Sequence, residues 1–532
     1  MSATGVEPRS GETVQLSPNR LIASSPWIVP EDRFDLLVHA LSQLPERISL
    51  RIVGEGPDVS RIRLLGEACG VDDRLLLGKA GSDDEGDALI YPSDHNLSTA
   101  PIRPTDFPGP TLALARGPGA EQVDLEVSTL GELIELLGAH GDAAPTDSDD
   151  RILRGHRVAI VVNIPAHYRI PLFNGLAQRL SAAGAGLRVF FLAPTYKRRA
   201  WMRSEAPTFD REYLRSAGIR LTAAWKAFVP VNLGSRLRSF SPSLVLAAGF
   251  SPFVSSPAAR YASRASIPFG IWSGEIPSRP TATSSIRTLQ RQRLARQASF
   301  GVAYGTLAGE YLRSLRLDLP LTFARNSIAT PGSVTRVSPP GAPLEILTVA
   351  DMSTPGKRVE VLIDAMRQLD GAMCRLTVVG GGGGKHLAEE RARGLDDRVR
   401  FVGAVPSDEV HRFFEEADVF AFPSSVDVFG LVLVEAMGRG LAVVTSGMAG
   451  AVPDLCAPGV NCLVVEEERS APWARAFSSL AQDAALRERI GAAGARTIAR
   501  RWTMNHSVQG LISGLKLGIL GSDPIHSVEG SS

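Results

Sequence analysis

"ADVFAFPSSVDVFGLVLVEAMGRG", residues 417–440, reads as a strand, a loop and a helix in immediate succession. "ADVFAFPSS" is apolar and aromatic up to a Pro and two serines, "VDVFG" is the loop, and "LVLVEAMGRG" is the helix that leaves it. A strand that passes at once into a helix belongs to a parallel, doubly wound α/β sheet. In such sheets ligands sit beyond the carboxyl ends of the strands, where loops and helix N-termini meet. Two carboxylates, Asp427 and Glu435, stand eight positions apart around this run, and its neighbourhood in sequence is read as holding no cation to pair with them.

Working outward, the unit occurs twice. "PEDRFDLLVHALSQL" (30–44) aligns without a gap to "PGKRVEVLIDAMRQL" (355–369). "LRIVGEGP" (50–57) then parallels "LTVVGGGG" (376–383), "GVDDRLLLG" (70–78) parallels "GLDDRVRFVG" (394–403), and "ALIYPS" (88–93) parallels "VFAFPS" (419–424). Between the copies, "GDAAPTDSDD" (141–150) is polar and turn-rich and reads as a linker. A second α/β unit of different sequence follows, with buried-strand patterns in "HRVAIVVNIP", "LRVFFLAP", "PSLVLAAGF", "IPFGIWSGE" and "ASFGVAYG", and "GSVTRVSPPGAP" (332–343) reads as a hinge. The expected division is a disordered start (1–19), a degenerate copy of the later repeat unit (20–138), a linker (139–154), a middle α/β domain (155–335), a last α/β domain (344–518) and a tail (519–532).

The chain has 532 residues, enough for several domains, and 57 Lys+Arg against 56 Asp+Glu leave a net charge of +1, which gives no sign of nucleic-acid binding. Four cysteines without CxxC or zinc-ligand spacing read as buried, reduced thiols. The first 20 residues lack an apolar signal region, and no run reaches the ~20 apolar residues of a membrane span. A cytoplasmic protein is expected, peripheral at the inner face of the membrane at most.

Residue chemistry at 417–440 suggests a nucleotide site. Free N–H groups at the helix start attract phosphate, Gly430 lets it approach without a Cβ in the way, and Glu435 can accept two hydrogen bonds from a vicinal diol such as ribose. The competing reading is an ordinary helix start, with Asp427 as cap and Glu435 on a solvated face. "VVGGGGGKH", including Gly381, reads as a turn suited to close approach of a nucleotide, or as a plain flexible loop. No DxD pair or His/Asp/Cys cluster implies a metal, so no metal or other cofactor is expected.

Residues 344–502 resemble the C-terminal half of the family-four retaining glycosyltransferases of GT-B fold. The family's hallmark is an acid, seven residues, a Glu and "AMA.G.PV". Here Asp427, "VFGLVLV", Glu435 and "AMGRGLAVV" are followed by "AGAVPDL" and "GVNCLVV", where the family carries "GG.PE." and "G.NG.LV". The resemblance implies two Rossmann-like domains facing across a cleft, the middle domain on the acceptor side and the last on the donor nucleotide-sugar side, with the degenerate module added in front. It implies Glu435 on the ribose, Asp427 on the donor sugar, backbone near Phe429, Gly430 and Leu431 on the diphosphate, and Lys357 as the phosphate-binding lysine. The catalytic set is then Lys357, Asp427 and Glu435. The family's usual Arg is missing, since "VADMS" puts Asp351 there, and Arg358 is the candidate to compensate.

His167, Tyr168 and Arg169 in "NIPAHYRIPLF" and Glu275 in "IWSGE" are the acceptor-side candidates, each also readable as an ordinary loop residue. The implied function is transfer of a hexosyl unit, with retention, from a nucleoside diphosphate sugar to a hydroxyl of a glycan, a lipid-linked or a small-molecule acceptor. A GT-B nucleotide-sugar epimerase and a non-catalytic scaffold or sensor stay open as alternatives. Asp32 stands where Lys357 stands in the later copy, and no acid-seven-Glu segment follows "YPSD", so the first copy is not expected to bind a donor productively.

Overall fold

The computed structural model describes residues 150–194, 206–220, 226–276, 284–328 and 341–521, apart from 355, 372 and 466–468. Before residue 150 it describes six strands and Leu41, Ile62 and Val71. Those strands are β1 (Arg20–Trp27), β2 (Ser49–Glu55), β3 (Leu75–Gly78), β4 (Ala88–Tyr91), β5 (Thr111–Leu114) and β6 (Val123–Glu126), in the order β3-β2-β1-β4-β5-β6. The first four are parallel, whereas β5 and β6 run antiparallel to their neighbours.

The middle sheet contains β7 (Arg157–Val162), β8 (Gly186–Phe191) and β9 (Asp210–Tyr213). An antiparallel pair, β10 (Ser216–Arg220) and β11 (Lys226–Pro230), intervenes before β12 (Leu244–Ala248), β13 (Phe269–Ser273), β14 (Phe300–Ala303) and β15 (Leu321–Phe323). Its order is β15-β14-β13-β12-β7-β8-β9, all parallel. The last sheet holds β16 (Leu344–Val349), β17 (Cys374–Val379), β18 (Val399–Gly403), β19 (Val419–Phe422), β20 (Ala442–Ser446) and β21 (Leu463–Val465), ordered β18-β17-β16-β19-β20-β21 and also parallel. Strands such as β12 and β20 are buried along their whole length, which parallel sheets covered by helices on both faces require.

Among the described residues, the helices around the site include α1 (Arg169–Ala182), α2 (Ser284–Ala295), α3 (Thr306–Leu315), α4 (Val359–Gln368), α5 (His411–Glu416), α6 (Leu431–Gly438), α7 (Val452–Leu455), α8 (Ala484–Arg501) and α9 (Met504–Leu520). One apolar cluster runs unbroken from Val162 and Phe173 in the middle domain, through Trp272, Phe429 and Trp502, to Leu433 and Val443 in the last. The two sheets therefore share a core at their seam.

The donor-side domain is expected to extend to residue 518. The backbone leaves the helical region at Trp502, so α8 and α9 are separate. Helix α9 crosses back onto the middle sheet. Its Gly510, Gly514 and Gly518 recur every four residues and so share one face. A Cβ on Gly510 would overlap the Phe323 carbonyl oxygen, and Cβ atoms on Gly514 and Gly518 would press on Val302 and Phe300. Only a glycine stripe lets this helix sit so low on β14 and β15.

The linker expected over 139–154 is described only from Asp150, and there it belongs to the folded unit. Asp150–Leu153 forms a 3-10 turn with Leu153 buried, and the Asp150 carboxylate pairs with Arg179 at 2.7 Å and Lys516 at 2.8 Å. Cys374 and Cys456 are buried free thiols, and Cys462 is buried as well. Cys69, residues 1–19, expected to be disordered, Asp32, most of the expected hinge at 332–343 and residues 522–532 of the expected tail lie outside the described residues. Among the described residues no helix is long and apolar enough to cross a membrane.

Seating of α9 predicts the effect of a single methyl group. Gly510→Ala should destabilise the protein by roughly 1–3 kcal/mol, because the obstacle is backbone rather than a movable side chain. Gly371→Ala, where a Cβ meets nothing within 4 Å, should stay within about 0.5 kcal/mol of the parent. Urea denaturation of the two variants checks this, and equal midpoints would refute it.

Candidate active site

The loop after β19 is held from three sides. An Asp427 carboxylate oxygen accepts the Phe429 N–H at 3.1 Å, a local Asx turn. The Asp427 carbonyl accepts the Gly450 N–H at 3.0 Å, and the Phe429 carbonyl accepts the Ala451 N–H at 2.9 Å. Gly430 then turns the chain into α6 with φ +90°, a conformation that a Cβ disfavours. The start of α6 is thereby aimed out of the carboxyl end of the sheet. The neighbouring loop is fixed to it by the Ser425 N–H, which donates to the Gly356 carbonyl at 2.8 Å. This brings Lys357 onto Asp427: its ammonium donates to the carboxylate and lies 5.6 Å from the centre of the Phe422 ring.

Both acids have cationic partners, contrary to the expectation from the sequence. Asp427 pairs with Lys357, and Glu435 pairs with Arg439 at 3.3 Å, one helical turn further along the same helix. Burial pushes the Glu435 carboxyl above the usual range, opposed by Arg439 and His411. Arg439 is itself buried, its guanidinium 5.0 Å from the centre of the Phe414 ring, and desolvation lowers its pKa. Leu431 is the first residue of α6, half-buried, and Arg358 starts α4 in a left-handed conformation at φ +53°, next to Lys357. The glycine-rich turn is built against the loop after β16: the Gly381 carbonyl accepts the Met352 N–H at 2.8 Å, and a Cβ on Gly380 or Gly382 would overlap Ala350 or Ser353. Asp351 is exposed and accepts the Ser353 N–H at 3.0 Å.

On the acceptor side the four candidates separate. Arg169, at the start of α1, donates to the Tyr304 hydroxyl and lies 4.8 Å from the centre of the Trp272 ring. Tyr304 in turn meets Phe429 edge-on at 6.3 Å, so Arg169 is linked to the donor-side loop through one aromatic ring. Tyr168 precedes α1, with His167 edge-on to it at 5.4 Å. Glu275 turns the other way and pairs with Arg291 of α2 at 2.6 Å. Its neighbour Ile276 reaches Gly450, where an added Cβ would lie 3.2 Å from the isoleucine.

Sequence reasoning passed over Asp454. This residue sits in α7 on the donor side, yet its carboxylate accepts the Thr306 N–H at 2.8 Å and the Thr306 hydroxyl, thereby capping α3 of the other domain. The only sequence signal was its place in "AGAVPDL". Arg439, four residues after Glu435, was visible in spacing and was not used; Tyr304 had no local signal. A cavity of about 490 Å³ lined by Glu345, Arg375, Arg398 and Phe413 lies at the amino ends of β16–β18, at the opposite edge of the sheet from Asp427 and Glu435.

Residues 343–483 match the family model described as Glycosyl transferases group 1. Among curated proteins, the D-inositol 3-phosphate glycosyltransferase of Salinispora arenicola is 36% identical over 171 residues, covering 30% of this chain and 38% of that one. That of Jonesia denitrificans is 31% identical over 180 residues, covering 32% and 42%. The chain spans about two fifths of the length of these relatives. Among solved structures, Anabaena Alr3699/HepE in complex with UDP aligns with a TM-score of 0.53 at 18% identity, over 68% of this chain and 99% of that one. A glycosyltransferase from Rickettsia africae gives 0.52 at 13% identity, over 69% and 98%. The fold is GT-B.

The seam also sets a pH response. His506, at the start of α9, is held down to about 4, first by burial and then by the charges of Arg325 and Arg501. The unfolded chain takes up a proton near pH 6.5 and the folded protein does not until about pH 4. Stability should therefore fall as pH drops from 6.5 to 4, by at most roughly 3 kcal/mol from this group. Thermal melts of wild type and His506→Gln across that range should diverge towards acid, with the variant losing less. Parallel curves would refute the assignment.

Proposed function

We propose that this chain is a retaining glycosyltransferase that moves a hexosyl unit from a nucleoside diphosphate sugar to a hydroxyl acceptor. The observation that carries the reading is the convergence of Lys357 and Asp427 at the Gly430 start of α6. A leaving diphosphate gains negative charge as the glycosidic bond breaks, and a lysine beside free helix N–H groups stabilises that charge. In the free protein Asp427 holds the lysine; on donor binding the diphosphate replaces it, and Asp427 turns to the sugar hydroxyls. Glu435, deeper along α6, takes the ribose diol. The solved structures similar to this chain include Alr3699/HepE complexes with UDP and with UDP-glucose, which supports a nucleotide-sugar donor.

Arg169, oriented by Tyr304 and Trp272, is the acceptor-side group best placed to meet the donor-side loop. The acceptor is a sugar, lipid-linked or small-molecule hydroxyl, and for a lipid-linked one the protein would work at the inner membrane face. The first 138 residues serve as a docking or packing module outside the chemistry. No divalent ion is required, because Lys357 and the helix start supply the positive field. The second reading, a non-catalytic sensor, is favoured by one observation: Asp351 stands exposed where the family places its second phosphate-binding cation.

Glu435→Ala should weaken nucleotide-sugar binding tenfold or more, about 1.4 kcal/mol. Lys357→Ala should lower kcat more than affinity, since the charge it meets peaks in the transition state. Turnover should survive EDTA, and a chain starting at Asp149 should keep donor affinity. Calorimetric titration with a panel of UDP-, GDP- and ADP-sugars, followed by NMR of the product anomer, tests the reading. Binding without transfer or hydrolysis would favour the sensor, isomerised donor without transfer would favour an epimerase, and an inverted product would overturn retention.

A further inference from the structure

We infer that Arg439 is a positioning residue for nucleotide binding, orienting the Glu435 carboxylate from its buried side and favouring its charged form. The inference deepens the proposed function and rests on its reading of Glu435 as the ribose-binding group. Three features of this chain carry it. First, the two residues share one face of α6 at i and i+4, with Nη1 of Arg439 3.3 Å from Oε1 of Glu435. Second, the pair is lopsided in exposure: the Glu435 side chain is 20% exposed and the Arg439 side chain 4%. The carboxylate thus has one open side for a ligand, and the guanidinium closes the other.

Third, Arg439 is committed to this task. Its Nε and Nη1 donate no hydrogen bond, and the group is flanked by the Phe414 ring. The charged groups acting on the pair from the packed helix α5 are His411, towards Glu435, and Glu415, towards Arg439. Burying these two nitrogens is costly in itself, and the charges of Glu435 and Glu415 with the Phe414 ring offset that cost. The benefit is chemical. An ionised carboxylate accepts from both hydroxyls of a diol, whereas a protonated one gives up an acceptor position to its own proton.

The sign follows directly. Removing the guanidinium leaves a desolvated carboxylate whose pKa rises further, so ligand binding should become pH-dependent, weak at low pH and recovering as pH rises. The experiment titrates UDP, GDP and ADP into the full chain at pH 6.0, 7.0 and 8.5, using wild type, Glu435→Gln, Arg439→Met, Arg439→Gln and Arg439→Lys. For the nucleotide that binds the wild type, both neutral Arg439 variants should lose tenfold or more at pH 6.0 and regain most of it by pH 8.5, and Arg439→Lys should keep the wild-type profile. Two neutral variants guard against one that fails to fold, checked by circular dichroism. If Glu435→Gln weakens binding and the neutral Arg439 variants do not, the positioning role is wrong. A loss that is equal at all three pH values would make Arg439 merely structural and would also overturn it. If Glu435→Gln leaves affinity unchanged, or no nucleotide binds the wild type, the ribose reading itself falls and takes the inference with it.

Discussion

The Asp454 carboxylate is anchored in one domain and caps a helix of the other. Helix α3 begins at Thr306 after an extended Gly305, so its first N–H groups have no partner within their own helix. Asp454 supplies the acceptor from α7, and Gly305 leaves the space, since a Cβ there would crowd that same carboxylate. Burial pushes Asp454 upward in pKa, opposed by the Thr306 hydrogen bonds and the charge of Arg325. A buried acid in such a position is retained only while its partners stay in place, so the contact fixes how the carboxyl ends of the two sheets face each other. The aromatic line Trp272, Tyr304, Phe429 and Trp502 fills the rest of the seam.

Given that seam, the donor-side loop has little freedom. Phe429 is its buried pivot: Tyr304 lies on one side and Trp502 on the other, and its backbone is bonded to Asp427 and Ala451. Moving Asp427 would mean moving a core aromatic. The free site is accordingly preorganised and electrically quiet, with each acid neutralised by one cation. On the proposed function, an incoming diphosphate would meet a lysine already in place, and Asp427 would have to release it.

Much of this was legible in residues 417–440, because strand, loop and helix each left a distinct pattern of apolar residues and glycine. The pairing of Asp427 was not, since Lys357 is seventy positions away and the two loops are brought together by contacts such as the Ser425 N–H to the Gly356 carbonyl. Arg439 was legible by spacing alone, but its burial was not, because a helix so apolar all round gives no face to distinguish inside from outside. The glycine stripe of α9 announced a close approach without saying to which sheet. That answer lies in the bulk of Val302, Phe300 and the Phe323 backbone, contributed by strands nearly two hundred residues earlier.

The N-terminal sheet extends the same reasoning. Strands β3-β2-β1-β4 follow the spatial order of β18-β17-β16-β19, and the two sheets part company after the fourth strand. In the last domain the chain leaves β19 at its carboxyl end and must cross the whole sheet to begin β20, and α6 makes that crossing. In the first sheet β5 is antiparallel to β4, so the chain re-enters at the end it has just left and no crossover is needed. The crossover is what carries an acid, a glycine and a helix start to the cleft.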